Sequence, residues 1–161
     1  MDCNERLEKK ILDITVPTFN REHELTNCLY ALGLEVQSLT SEEKKQIRLI
    51  VSNNASSYDV ESLVNQIIND IHVVVYSNRS NIGPYKNFLK CYSLSHSEYT
   101  WLLSDDDMIL NGSLRRLIND LNTYNPDVAY LEFKSNNVLG TEKLLLTDTD
   151  CFLNSVNINA T

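Results

Sequence analysis

Glu98-Tyr-Thr-Trp-Leu-Leu-Ser-Asp-Asp-Asp-Met108 joins an apolar run to three consecutive carboxylates. The run from Tyr99 to Leu103 reads as a short buried strand, and Asp105, Asp106 and Asp107 follow where that strand leaves its sheet. Like charges about 4 Å apart repel by ~1 kcal/mol per pair in bulk water and several-fold more near a protein surface, so a triplet at a strand end calls for partners. Two readings supply them. In one, hard oxygen ligands hold Mg²⁺ or Mn²⁺ together with the phosphates of a substrate. In the other, a solvated acidic loop caps the next helix through Asp107 or Asn111.

Working outward, the same grammar of strand, polar break and amphipathic helix recurs. Ile11 to Val16 is a β-branched run closed by Pro17, and Leu25, Cys28, Leu29 and Leu32 then recur at helical spacing, with Asn20 as the expected cap. Thr40 to Lys45 reads as a polar connection. Ile47 to Val51 forms a second strand that breaks at Ser52-Asn-Asn-Ala-Ser-Ser57, and Val60, Leu63, Val64, Ile67 and Ile68 form a second helix. Val73 to Val75 makes a third strand, and Pro84 opens the helix that continues from Phe88 to Leu94. Past the carboxylates, Leu114, Leu117, Ile118 and Leu121 mark a helix starting near Asn111-Gly-Ser113, and Val128 to Phe133 reads as a fifth strand. Four successive strand-helix units imply right-handed crossovers and a mostly parallel α/β sheet with helices on both faces. Beyond Lys134 the pattern weakens. The expected organisation is therefore one open-sheet domain over residues 1–134 and, over 135–161, the start of a further, incomplete region.

Composition narrows the function. A chain of 161 residues, 42% hydrophobic, suits a globular fold with a real core. Its net charge of -8 argues against a partner read through a nucleic-acid backbone. Cys3, Cys28, Cys91 and Cys151 lack Cys-x-x-Cys or zinc-finger spacing, so they read as reduced thiols, with Cys28 and Cys91 buried on helix faces. No apolar leader or spanning run is present, which gives a cytoplasmic expectation.

On open parallel sheets, ligands bind beyond the carboxyl ends of the strands. That rule gathers Thr18, Asn20 and Arg21 after strand one, Ser52 to Asn54 after strand two, Asn81 to Lys86 after strand three, and the Asp triplet after strand four. A nucleoside-diphosphate sugar would find its needs met there. The Asn53 amide can read a pyrimidine edge, Asp105 can accept from ribose hydroxyls, Arg21 and Lys86 supply positive charge, and Asp106 would hold a cation bridging the diphosphate. Taken singly, Thr18, Asn53 and Asn54 are also ordinary turn residues, and Lys86 an ordinary solvated lysine.

Ile14-Thr-Val-Pro-Thr-Phe-Asn-Arg21, Ile50-Val-Ser-Asn-Asn-Ala-Ser56, Ser80-Asn-Ile-Gly83 and Glu98-Tyr-Thr-Trp-Leu-Leu-Ser-Asp-Asp-Asp107 resemble, in order, the signatures of family 2 glycosyltransferases. Asn81-Ile-Gly-Pro-Tyr-Lys-Asn-Phe-Leu-Lys-Cys91 is similar to the abequosyltransferase-like branch, bacterial enzymes of surface polysaccharide assembly. The resemblance, from about Ile11 to Leu110, implies a Rossmann-like sheet of the GT-A type, a nucleoside-diphosphate sugar donor, and inversion by single displacement. It further implies a saccharide or lipid-linked saccharide acceptor, with room for peripheral association at the inner face of the membrane. Carried across, Thr18 and Asn20 fall beside the base, and Asn53 stands where the family usually has an aspartate that reads uracil. Ser104 replaces the first aspartate of the family's Asp-x-Asp-Asp. Asp105 then takes the ribose role and Asp106 the metal role, with Asp107 as a second metal-side carboxylate. No residue matches the family's catalytic base, and neither Asp148 nor Asp150 carries the surrounding pattern. Two rivals are weighed beside this reading. A nucleotidyltransferase would need a glycine-rich loop after strand one, which Pro17-Thr-Phe-Asn-Arg21 lacks; a binding module would use the triplet for partner contact through a cation.

Overall fold

The computed structural model describes residues 10–124, 128–129 and 145–146. The chain divides into two compact units, Met1–Ile118 and Asn119–Thr161. The first unit is built on four parallel strands, β1 (Leu12–Thr18), β2 (Ile47–Asn53), β3 (His72–Ser77) and β4 (Tyr99–Leu102), in the order β3-β2-β1-β4. Between them lie α1 (Glu22–Ser38), the short α2 (Ser41–Lys45), α3 (Val60–Ile67) and α4 (Pro84–Leu94), and α5 (Ser113–Tyr124) follows β4. In the second unit, β5 (Val128–Ala129) pairs antiparallel with β6 (Leu145–Leu146). The rest of the expected fifth strand, 130–133, lies outside the described residues, as do Asp148 and Asp150.

Sheet order fixes which helix lies where. The chain moves from β1 to β2 to β3 in one direction, then returns past β2 and β1 to β4. With right-handed crossovers, α1 and α3 must share one face and α4 must take the other. Accordingly α1 touches α3, and α4 packs on β1 and β2. Gly33 permits the close approach of α1 to α3: a Cβ there would stand 3.4 Å from Ile68 Cδ1. Leu25, Cys28, Leu29, Leu32 and Val36 are buried along α1, as their spacing requires.

Several sequence expectations are corrected. The strand before the carboxylates is not buried: Tyr99 to Leu102 are all half-exposed, since β4 is the edge of the described sheet, and only Leu103 beyond it is buried. Pro17 does not end β1, which runs on to Thr18 and pairs Pro17 with Ser52. Pairing with β4 stops at Thr15, so on that side no ladder bond requires the missing N–H. The polar connection contains α2, a helix of little more than one turn closed by a capping box between Thr40 and Glu43. Asn20 does not cap α1. It sits at φ 52°, and the cap position is Arg21 with no side-chain bond.

Candidate functional site

With every strand of the main sheet parallel, the loops after β1, β2, β3 and β4 emerge along one edge, and side chains tie them to one another. Thr18, the last residue of β1, donates its hydroxyl to Asp105 Oδ2 at 2.8 Å; both residues are buried. Arg21 reaches the same loop, placing Nη2 2.7 Å from Asp106 Oδ2 and Nε 3.6 Å from Asp105 Oδ1. Asn20 turns the other way. Its Oδ1 accepts from the Ser57 N–H at 2.8 Å, and its own N–H donates to Ser56 Oγ, so its left-handed backbone locks the β1 loop onto the β2 loop.

The carboxylates fan out rather than converge. Asp105 is buried against Thr18. Asp106, half-exposed, accepts from Ser104 Oγ at 2.5 Å on one oxygen and from Arg21 on the other. Asp107 turns back to accept from the Ser104 N–H at 3.3 Å. Among the described residues no three carboxylate, imidazole or thiol side chains gather into a ready cation cage. Electrostatics separates the neighbours. Burial pushes the Asp105 carboxyl above its usual range, against the opposing pull of Thr18 and Arg21. The Ser104 and Arg21 hydrogen bonds hold Asp106 below it. The Cys28 thiol, donating to the Ser104 carbonyl from beneath, is pushed up to about 12 by burial and the three aspartates, which makes it an inert packing residue as expected.

Asn53, at the end of β2, spends its amide on the protein. Its Oδ1 accepts from the Ser56 N–H at 2.8 Å, and its Nδ2 donates to Ser77 Oγ at 3.2 Å. Asn53 is buried, and these two bonds leave one lone pair and one hydrogen of its amide unspent. Lys86 stands exposed on the first turn of α4, after Gly83-Pro84, and joins neither the ion pairs nor the hydrogen bonds of the triplet.

Three features escaped the sequence. The first is a buried amide network behind the edge: Asn54 Oδ1 accepts from Asn78 Nδ2 and the Ile82 N–H, and Asn54 Nδ2 donates to Asn81. Asn87, on α4, accepts from Ser52 Oγ and Asn78 and donates to the Ser52 carbonyl. An asparagine on the inward face of a helical pattern was the available signal. The second is the role of Ser104, read from the sequence only as a replacement for the family's first aspartate, in orienting two of the three aspartates. The third is Tyr58, whose buried hydroxyl in the β2–α3 loop lies beside Thr18 and Ser56 without forming a hydrogen bond of good geometry to either; a buried hydroxyl so weakly met costs up to about 1–3 kcal/mol until a ligand or water meets it.

The site thus lies at the carboxyl edge where connections diverge to opposite faces. Among solved structures, the chain resembles Staphylococcus aureus TarS 1-349 with a TM-score of 0.66 at 22% identity, over 83% of this chain and 38% of that one. TarS 1-349 has also been solved with UDP-GlcNAc and with UDP. Mannosyltransferase PcManGT from Pyrobaculum calidifontis, in complex with GDP-Man and Mn²⁺, superposes with a TM-score of 0.55 at 15% identity, over 70% of this chain and 32% of that one. The architecture is therefore of the GT-A type. In sequence, abequosyltransferase RfbV of Salmonella typhimurium is 29% identical over 108 residues, 65% of this chain and 30% of the relative. A GalNAc(5)-diNAcBac-PP-undecaprenol beta-1,3-glucosyltransferase of Campylobacter jejuni is 30% identical over 113 residues, 69% of this chain and 34% of the relative. The chain spans about a third of the length of these curated relatives. The family model described as glycosyl transferase family 2 matches residues 13–155, nearly the whole chain and every loop of the site; the chain belongs to that family.

Proposed function

We propose that residues 1–134 bind the donor of a bacterial glycosyltransferase, which moves a sugar from a nucleoside diphosphate to a saccharide or lipid-linked saccharide acceptor during surface polysaccharide assembly, and that 135–161 begin the acceptor side. The relatives point to bacterial glycan assembly, and one takes its name from a polyprenyl-diphosphate-linked saccharide. One observation carries the reading: Thr18 and Arg21 from the first loop close onto Asp105 and Asp106 from the fourth, at the edge where such sheets bind nucleotides.

In this reading Asp105, fixed by Thr18, accepts from a ribose hydroxyl, while Asn53, Asn20 and the Tyr58 hydroxyl face the base. Asp106 suits Mg²⁺ or Mn²⁺: its carboxylate is held ionised, half-exposed and oxygen-only, and such ions are often held by one or two carboxylates plus phosphate and water. Asp107 is the second candidate ligand. A bound cation would neutralise charge gathering on the departing diphosphate. Arg21, released from Asp106 by that exchange, and Lys86 supply donors for phosphate oxygens. Inversion by single displacement follows from the family reading, and the base that deprotonates the acceptor is left unassigned.

Calorimetry with uridine, thymidine, cytidine and guanosine diphosphates, with and without Mn²⁺, tests this. Binding should require the cation and drop by about tenfold or more in Asp106→Ala with folding intact by circular dichroism. Affinity indifferent to chelator would remove the metal bridge, and no binding of any nucleotide would remove the donor site.

A further inference from the structure

Charge in this chain is segregated. Between Asp70 and Glu98 there is no carboxylate, although the whole molecule carries 22, and the same interval holds Arg79, Lys86 and Lys90. That interval contains α4, whose inner face (Asn87, Cys91) is buried on the sheet. Its outer face is apolar instead of polar. Tyr85 is 72% exposed, Phe88 42%, Leu89 51% and Tyr92 54%, at helical spacings i, i+3, i+4 and i+7. An exposed helix stripe of this kind is the pattern of a buried face left without a cover. Beside it, Lys90 Nζ lies 4.3 Å from the centre of the Tyr76 ring, which continues the aromatic surface onto β3.

We infer that the outer face of α4 docks on an anionic lipid surface. Tyrosines with an apolar ring and a polar tip, a Phe-Leu pair between them, lysines on one flank and no acidic residue are the composition of an interfacial helix. In a chain of net charge -8 only a carboxylate-free stretch can approach anionic headgroups, and this is the stretch that has one. No described helix is long and apolar enough to cross a membrane, so the contact is lateral. The helix starts at Pro84, directly after the loop whose Ile82 N–H donates to Asn54, so docking sets the donor edge beside the headgroups. This deepens the lipid-linked acceptor of the proposed function and rests on that reading only for its purpose, since the contact needs neither donor nor acceptor.

Co-sedimentation of the full chain with vesicles of equal parts phosphatidylglycerol and phosphatidylcholine, against pure phosphatidylcholine, tests the inference. Sedimentation equilibrium without lipid runs beside it. The chain should pellet with the anionic vesicles and lose that partition as salt rises. Phe88→Ser with Leu89→Ser should weaken it by about tenfold or more, and Arg79→Glu with Lys90→Glu by about tenfold. Tyr85→Ser with Tyr92→Ser gives a second apolar pair should the first fail to fold. Partition that ignores both apolar pairs, or no partition at all, overturns the inference. So does a lipid-free dimer that the same pairs dissolve in a chain that never pellets, because the face would then belong to a second copy. Nucleotide calorimetry on the same samples separates the two readings: a parent chain that binds nucleotide but never pellets with anionic vesicles condemns only the docking face.

Discussion

Adjacent carboxylates at 105 and 106 meet opposite treatment from the fold. Asp105 is buried, and its raised affinity for a proton means that the ionised form costs stability at neutral pH; the cost fades as pH falls into the window above the ordinary carboxylate value. Asp105→Asn keeps an acceptor for Thr18 and removes the charge. We expect its Tm, followed by circular dichroism, to equal or exceed the parent's at neutral pH, with the gap closing as pH falls, while nucleotide affinity drops. A large loss of stability at neutral pH would show that the carboxylate serves the fold and not a ligand. Asn53 offers a second test. An aspartate there could still accept from the Ser56 N–H and from the Ser77 hydroxyl, so Asn53→Asp should fold normally yet reorder the preferred nucleobases, uridine gaining most. An unchanged ranking in calorimetry would leave Asn53 as a turn residue.

Elements were legible where periodicity is long and ambiguous where a single side chain decides. The spacing of Leu25, Cys28, Leu29 and Leu32 could only be a helix, and the runs at Leu12, Ile47 and Val73 could only be strands. Nothing local announces Glu35, buried on α1, which accepts from the Gly112 and Leu114 N–H groups at 2.8 and 3.0 Å and so caps α5 from 77 residues away. Sequence reasoning looks for that cap at Asp107 or Asn111 because capping is usually local. Glu35→Gln should leave one of those N–H groups unmet, at about 1–2 kcal/mol in denaturant unfolding. Asp13 is similar. Fully buried at the amino end of β1, it takes a two-pronged bond from Arg48 of β2 at 2.9 and 2.6 Å, and further bonds from Ser95, Ser97 and the His96 N–H. Burial alone would raise its pKa, but those donors drive it well below the carboxylate range. A depressed folded pKa gives stability that is complete above the ordinary value of 3.8 and lost only as pH falls through the lowered one. Asp13→Asn should therefore cost roughly 3 kcal/mol or more, a gap that stays constant down to that range and closes only below it.

At the scale of the molecule, the sheet order explains why four short motifs, scattered from Thr18 to Asp107, form one surface. Parallel strands put every following loop on one edge, and that much follows from the alternation of runs and helices alone. Which loops touch does not follow, because it depends on the neighbour relation of β1 and β4, strands separated by two other strands in the chain; only that relation brings Thr18 and Arg21 to Asp105 and Asp106. The edge is consequently held by reciprocal pairs, Arg21 with Asp106, Asn20 with Ser57, and Asn54 with Asn81. A ligand that engages the same groups must couple to the stability of the whole first unit, since loops drawn from four strands are fixed at once. By linkage, a nucleoside diphosphate at a hundredfold excess over its Kd should add about 2.7 kcal/mol to the unfolding free energy. Scanning calorimetry should show that rise with nucleotide and Mn²⁺ together, and little of it with either alone. The cation by itself must displace Arg21 from Asp106, and the diphosphate by itself meets three aspartates whose charge Arg21 offsets only in part. An equal rise with nucleotide alone would mean that Arg21 and Lys86 carry the diphosphate unaided, and the role given to Asp106 would fall.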